Sequence, residues 1–237
     1  GFRYEGGGTE MTGYISYLDE EEVPNHIDHN IPAFGINTKY VINEGTQVYA
    51  GISQAYRPVL FKDIIPTSSL ERADKDLEDA FGYNAEAGIS GHTSDWLKYE
   101  VTLFHMVYRN KLGNTVQTED GVDYVYKTNI GDSETNGIEL FAEVIPVQEK
   151  NIYVSLFTAT SLMKAVYTDA AIAVNGENTD ISGNEVESVP RWISRNGLNI
   201  GYKELRATLQ YSYVAKSFSD PSNVMDPTPN GAKGLVP

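Results

Sequence analysis

The strongest constraint on this chain is a side-chain period of two. In LRATLQYSYVAKSFSD, from Leu205 to Asp220, the odd positions Leu205, Ala207, Leu209, Tyr211, Tyr213 and Ala215 are apolar or aromatic. The even positions Arg206, Thr208, Gln210, Ser212 and Lys216 are polar, with Val214 the exception. Successive side chains of a strand point to opposite faces, so this pattern predicts a strand with one apolar and one wet face. The same alternation sets Phe34, Ile36 and Tyr40 against Gly35, Asn37 and Lys39, and Ile138, Leu140, Ala142 and Val144 against Glu139, Phe141 and Glu143. It recurs in QVYAGIS, GYNAEAGIS and NGLNIGY. Between Tyr99 and Leu112 it is less clean, because His105 and Arg109 share a face with Val101, Leu103 and Val107. About ten strands and no long helix are predicted, an all-β chain.

The connections decide what the apolar face touches. Short turns are expected at Asn43–Gly45, His92–Asp95, Gln148–Asn151 and Lys203-Glu204. Between them come longer polar stretches at about Gly6–Asn30, Pro58–Phe81 and Thr168–Pro190, and a medium loop at Glu119–Asp123. A sandwich has no reason to alternate long and short connections so regularly. A transmembrane barrel does, with short periplasmic turns and long extracellular loops. The 16 tyrosines agree, many falling at strand ends where an aromatic girdle is expected: Tyr40, Tyr56, Tyr83, Tyr108, Tyr202, Tyr211 and Tyr213. The face of Leu205–Ala215 is therefore read as meeting lipid.

Composition narrows the partners. The formal net charge is −15, which opposes binding to nucleic acid. No apolar run approaches the roughly 20 residues of a transmembrane helix, a limit that leaves barrels untouched. There is no cysteine, so thiol chemistry and cysteine-ligated metal are excluded. No G-x-S-x-G elbow, P-loop or dinucleotide fingerprint occurs, so neither catalysis nor a cofactor is expected. The opening GFRYE already reads as a strand, and the chain is expected to be a piece of a longer protein.

Seven stretches carry a family resemblance in order along the chain: GFRYE, IPAFGINTKY, TQVYAGISQAYRPVLFKDIIP, GYNAEAGISG, LFHMVYRNKLGN, TNIGDSETNGIELFAE and LQYSYVAKSFSDP. Together they resemble the barrel of TonB-dependent outer-membrane receptors, most nearly the ferric-citrate and siderophore type. The resemblance implies that residues 1–237 form about ten strands of a barrel of about 22, in the bacterial outer membrane, with the plug domain and the last strands absent. It also implies import of a ferric siderophore or similar chelate, bound at the extracellular loops and passed inward by plug rearrangement. TonB-ExbB-ExbD would act through the plug, and lipid would surround the barrel.

Ligand residues vary within such a family, so the candidates come from this chain. Arg57 and Lys62 suit an anionic chelate, with pairing inside the lumen as the structural alternative for Arg57. His26 and His29, with Asp28 between them, offer imidazoles to a ligand, although three fixed metal ligands are not evident. The acidic run Asp19–Glu22 reads as a solvated loop or a divalent-cation bridge. Two alternatives stay open: a passive porin-like channel, and a soluble all-β binding module in which the apolar face packs on a second sheet.

Overall fold

The computed structural model describes residues 2–10, 26–174, 177–226 and 234–236. In chain order the strands are β1 (Phe2–Glu10), β2 (His26–Asn43), β3 (Thr46–Arg57), β4 (Glu71–Ala73), β5 (Ala80–Thr93), β6 (Leu97–Glu119), β7 (Val122–Gln148), β8 (Ile152–Val174), β9 (Glu177–Asp180), β10 (Trp192–Tyr202), β11 (Leu205–Val214), β12 (Ser217–Phe218) and β13 (Leu235–Val236). One short helix, α1 (Phe61–Ile64), lies between β3 and β4. Eleven strands form one sheet with the path β1-β2-β3-β5-β6-β7-β8-β10-β11, β4 adding to β7 and β9 to β8. Every pair along the path is antiparallel. The path is the chain order itself, as in a barrel wall.

Register aligns the apolar positions across the wall. Leu103 faces Ile138, Ile138 faces Leu162, and Leu162 faces Trp192. Lower down, Val144, Leu156, Leu198 and Leu209 form another row. Most of these side chains are exposed, Leu209 keeping 71% of its surface and Leu103 59%, while Val144 and Leu198 are half-buried. Among the described residues no second sheet covers them, so the soluble-sandwich alternative lacks its other layer. From Ile152 to Leu162, β8 advances roughly 33 Å at about 3.3 Å per residue, and a tilt of about 40° leaves a rise of roughly 25 Å. That is about the height of a membrane barrel's apolar band. Within the band the outward polar groups satisfy each other. Thr158 Oγ1 meets Thr160 Oγ1 at 3.2 Å, Thr160 meets Ser194 Oγ at 2.8 Å, and Asn196 Nδ2 donates to Ser194 Oγ at 3.0 Å.

The opposite face is polar. Tyr49 donates to Glu100 at 2.7 Å, Lys98 pairs with Glu143 at 3.2 Å, and Asn199 links Ser155 to Thr208. Gly137 and Gly197 leave room for inward rings. An added Cβ would lie 2.3 Å from the ring of Phe104 and 2.2 Å from that of Phe157.

The short turns after β2, β5, β7 and β10 all lie at one end, as expected. The other end departs from the expectation in three places. Residues 26–30, read as part of a polar connection, belong to β2 and pair with β1 from Gly6↔Asn30 to Glu10↔His26. The acidic run Asp19–Glu22 lies outside the described residues. The medium loop at 119–123 is a tight Asp120-Gly121 turn with φ of 49° and 78°. This is the positive-φ backbone that an Asp-Gly hairpin takes, and it lets β6 and β7 continue to the tip. The stretch from Thr168 to Pro190 likewise begins as strand, through Val174, and returns as β9. Polar strands are stable there because water meets both faces. β6, β7 and β8, at 23, 27 and 23 residues, far exceed the 9–11 that cross a bilayer.

The facing assignment is testable. Leu209→Arg, outward and near mid-band, should weaken membrane assembly of the full-length protein by about 2–4 kcal/mol. Gln210→Arg, on the lumen face, should be nearly silent. Folding titrations into lipid vesicles measure both, and equal effects would show the faces to be misassigned.

Candidate functional site

The non-membrane end of the wall is built by three devices: the extended β6–β8 strands, the 58–79 connection, and the 177–191 connection. The first connection folds around Val59, Ile64 and Leu77, with Ile65 and Leu112 of β6 packed against them. Three contacts position it. Arg57 Nη2, at the end of β3, donates to Asp63 of α1 at 3.0 Å, and Asp63 also accepts the Leu60 N–H at 3.0 Å. His29 Nδ1 lies 2.8 Å from both Asp79 oxygens, and Asp79 Oδ1 accepts the Val59 N–H at 2.8 Å. Glu78 N–H donates to Asn129 of β7 at 2.9 Å.

The second connection is tied down by a network of side chains. Lys111 Nζ reaches the Tyr167 hydroxyl at 2.5 Å and Glu187 Oε1 at 2.8 Å, while Tyr167 donates to Glu187 Oε2 at 2.6 Å. Tyr167 is buried with Ala170 and Ile181, and Ile172 and Val186 close the cluster. Burial and the hydrogen bond to the Glu187 carboxylate push the Tyr167 hydroxyl far above the usual phenol range. Burial opposes ionisation of Glu187, but hydrogen bonds from Lys111 and Tyr167 outweigh it and hold the carboxyl below its ordinary value.

Below these connections the lumen wall is concave. A hollow of about 210 Å³ is lined by Arg57, Asn84, Met106, Tyr108, Ser133 and Thr135. A larger one of about 420 Å³ lies further along the wall between Glu100, Thr102, Glu139, Phe141, Ser161 and Arg195. Asn84 Oδ1 and Ser161 Oγ, one in each hollow, are buried without a hydrogen-bond partner.

The structure thus brings Arg57 to the upper hollow and pairs it with Asp63. Lys62, the next residue of α1 after Phe61, is exposed on the connection above. His29 is engaged by Asp79, and the side chain of His26 lies outside the described residues. No group of three metal-ligating side chains occurs among the described residues. Tyr108 departs from the expected girdle. It faces the lumen, opposite Gly82 and Ser133, because it falls on the even, inward positions of β6. The hollow-lining residues Asn84, Met106, Ser133 and Thr135 were missed by sequence reasoning, and the only signal was their place on the polar side of alternating strands.

The family model described as TonB dependent receptor-like, beta-barrel matches residues 1–235. A search of curated proteins finds no match. Among solved structures, the ferric citrate transporter FecA superposes with a TM-score of 0.67 at 18% identity, over 90% of this chain and 30% of that one. The ferric yersiniabactin uptake receptor FyuA from Yersinia pestis gives 0.62 at 18%, over 84% and 28%. The copper transporter OprC gives 0.59 at 15%, over 81% and 28%. This chain spans under a third of the length of each. At such identities these likenesses establish the fold.

The Lys111–Tyr167–Glu187 network yields a measurable expectation. Lys111→Met leaves a half-buried carboxylate without its cation and should speed amide exchange across 181–187 by about ten- to hundredfold. Because the Glu187 carboxyl is held below its unfolded value, its contribution is complete above about pH 4.3 and is lost as pH falls below that. Acidification of the unmodified protein should therefore reproduce the effect of the substitution. Hydrogen exchange on the full-length protein reads both.

Proposed function

The chain belongs to the TonB-dependent receptor β-barrel family, and from that premise we propose that it is the central wall of a receptor importing a ferric siderophore or a similar iron chelate. It is a barrel segment of the bacterial outer membrane. The observation that carries the ligand reading is the pairing of an inward, cation-bearing hollow with a folded connection above it. Arg57 lines the hollow, and Lys62 stands exposed one turn of chain away in a molecule of net charge −15. Cations retained at the entry of so acidic a chain suit an anionic chelate through charge-assisted hydrogen bonds. The iron-chelate names of FecA and FyuA support this choice, while OprC marks copper as its competitor.

In this reading residues 1–237 are part of the barrel domain, and the plug and further strands belong to the rest of the protein. The chelate binds where Arg57, Lys62 and the 58–79 connection meet the upper wall. The plug fills the lumen against Glu100, Glu139 and Arg195, and the TonB-ExbB-ExbD machinery moves it to let the chelate pass. The unpartnered Asn84 Oδ1 and Ser161 Oγ are surfaces for donors on that plug. No bond in the ligand is made or broken.

The experiment is growth of an iron-limited strain that lacks its own receptors and carries the full-length gene. Growth on ferric citrate or a ferric siderophore, abolished by deleting TonB, is the expected result. Lys62→Glu should cut uptake by about tenfold while leaving barrel assembly unchanged. Copper-dependent accumulation without iron uptake, or uptake that persists without TonB, would overturn the reading.

A further inference from the structure

The upper hollow differs from the rest of the lumen wall in what lines it. Its side chains come from the inward face of four neighbouring strands. Ala55, Gly82, Tyr108 and Ser133 stand opposite one another in a row across β3, β5, β6 and β7, and Asn84, Met106 and Thr135 form the next row down. Arg57 closes the top, two residues beyond Ala55 on the same side of β3. Gly82 and Ala55 leave the backbone almost bare between the larger Arg57, Tyr108 and Met106, and that gap is the hollow.

No carboxylate among the described residues lines it, in a chain that carries 33 acidic residues. The hollow further along the wall, by contrast, has Glu100 and Glu139 in its lining. At about 210 Å³ the upper hollow falls short of the roughly 300–1,000 Å³ that takes a whole small ligand, so it admits one arm of a chelate. Three neighbours suit a flat ring. Tyr108 offers an aromatic partner, and Met106, which keeps 43% of its surface exposed, offers a thioether that favours aromatic contact. Arg57, held in place by Asp63, presents a cation to a ring face.

Resting on the reading of this chain as part of an iron-chelate receptor, we propose that the hollow seats one aryl ring of the incoming chelate. The ligand is then a phenolate- or catecholate-type iron complex rather than one built from carboxylates alone. In an aryl complex the ring oxygens turn toward the metal and the hydrocarbon edge of the ring turns outward. Citrate presents carboxylate oxygens outward instead, and burying those against Ala55, Gly82 and Met106 removes their hydration without replacing it. Both kinds of complex are anionic, so Lys62 and Arg57 favour an anion while the hollow decides which anion. Asn84 Oδ1, at the lower edge, stays with the plug.

The test is equilibrium binding to the purified full-length receptor in detergent, with ferric tris(2,3-dihydroxybenzoate) and ferric dicitrate as the two probes. The aryl complex should bind at least about tenfold tighter. Ala55→Phe, which stands its own ring in the hollow from an exposed position, should erase that preference. Met106→Gln, nearly isosteric, should reduce it about threefold, and Lys150→Met, at the other end of the barrel, should leave it unchanged. Equal or tighter binding of ferric dicitrate, a preference that survives both hollow variants, or binding of neither probe would each overturn the assignment. TonB-dependent growth separates this inference from the reading beneath it. Growth on ferric citrate with no aryl preference sinks the aryl assignment alone, whereas aryl-selective binding without TonB-dependent growth sinks the import reading alone.

Discussion

Everything in this molecule follows from the obligation of a lipid-embedded backbone to pair every N–H and C=O within the protein. Each unsatisfied group in hydrocarbon costs several kcal/mol, so a spanning chain of strands must keep a continuous ladder. The path from β1 to β11 keeps one without a crossover between wall strands. Side chains obey the same rule more loosely. Thr158, Thr160, Ser194 and Asn196 face outward within the apolar band, yet they bond to one another in a short chain across β8 and β10. A self-contained polar patch can sit in lipid where a single unpaired hydroxyl would be penalised.

Once the ladder leaves the bilayer, that obligation relaxes and the strands serve a different purpose. β6, β7 and β8 continue as a free-standing sheet on which the two long connections are moored. The moorings are polar and specific: His29 to Asp79, Arg57 to Asp63, Lys111 and Tyr167 to Glu187. Small apolar clusters under each connection support them, around Val59, Ile64 and Leu77 in one case and Tyr167 and Ile181 in the other. The connections are therefore folded surfaces with fixed cavities beneath them, which is what selective recognition of a ligand requires.

Sequence alternation made the membrane wall legible because lipid imposes it residue by residue. Leu205 to Tyr213 reads the same on the page as in space, with Tyr213 meeting Trp192 at a ring separation of 4.8 Å near the top of the band. The extracellular half was harder to read, since strands wetted on both faces carry no period. Residues 26–30 looked like a loop for that reason, although they pair with β1 throughout. Arg57, Lys62 and His29 could be picked out as polar groups in or beside the long connections, but Asp63 and Asp79, the partners of Arg57 and His29, lie across turns that no local pattern specifies. The parallel docking of β4 on β7, with Arg72 opposite Tyr126 and Ala73 opposite Lys127, was invisible as well, because two whole strands separate the partners in the chain.

The place where the alternation fails in β6 marks the boundary between the two regimes. Up to Val107 the outward positions follow the odd numbers, with His105 bonded to Asn136 at 2.7 Å just above the Leu103–Ile138–Leu162 row. Immediately beyond, the register with β7 shifts at Tyr108/Lys111 and again at Lys111/Leu112. Asn110 there takes a positive φ of 56°, and Asp132 receives both its N–H at 3.0 Å and the Arg109 guanidinium at 2.5 Å. Opposite, Gly131 has φ of 136° and lies so close to β8 that an added Cβ would fall 1.7 Å from the Asp169 carbonyl oxygen. These bulges break the inside–outside bookkeeping of the wall at the level where lipid ends. Above them the strands are free to turn Lys111 and Tyr167 toward Glu187, a contact that a strictly periodic strand at this position would forbid.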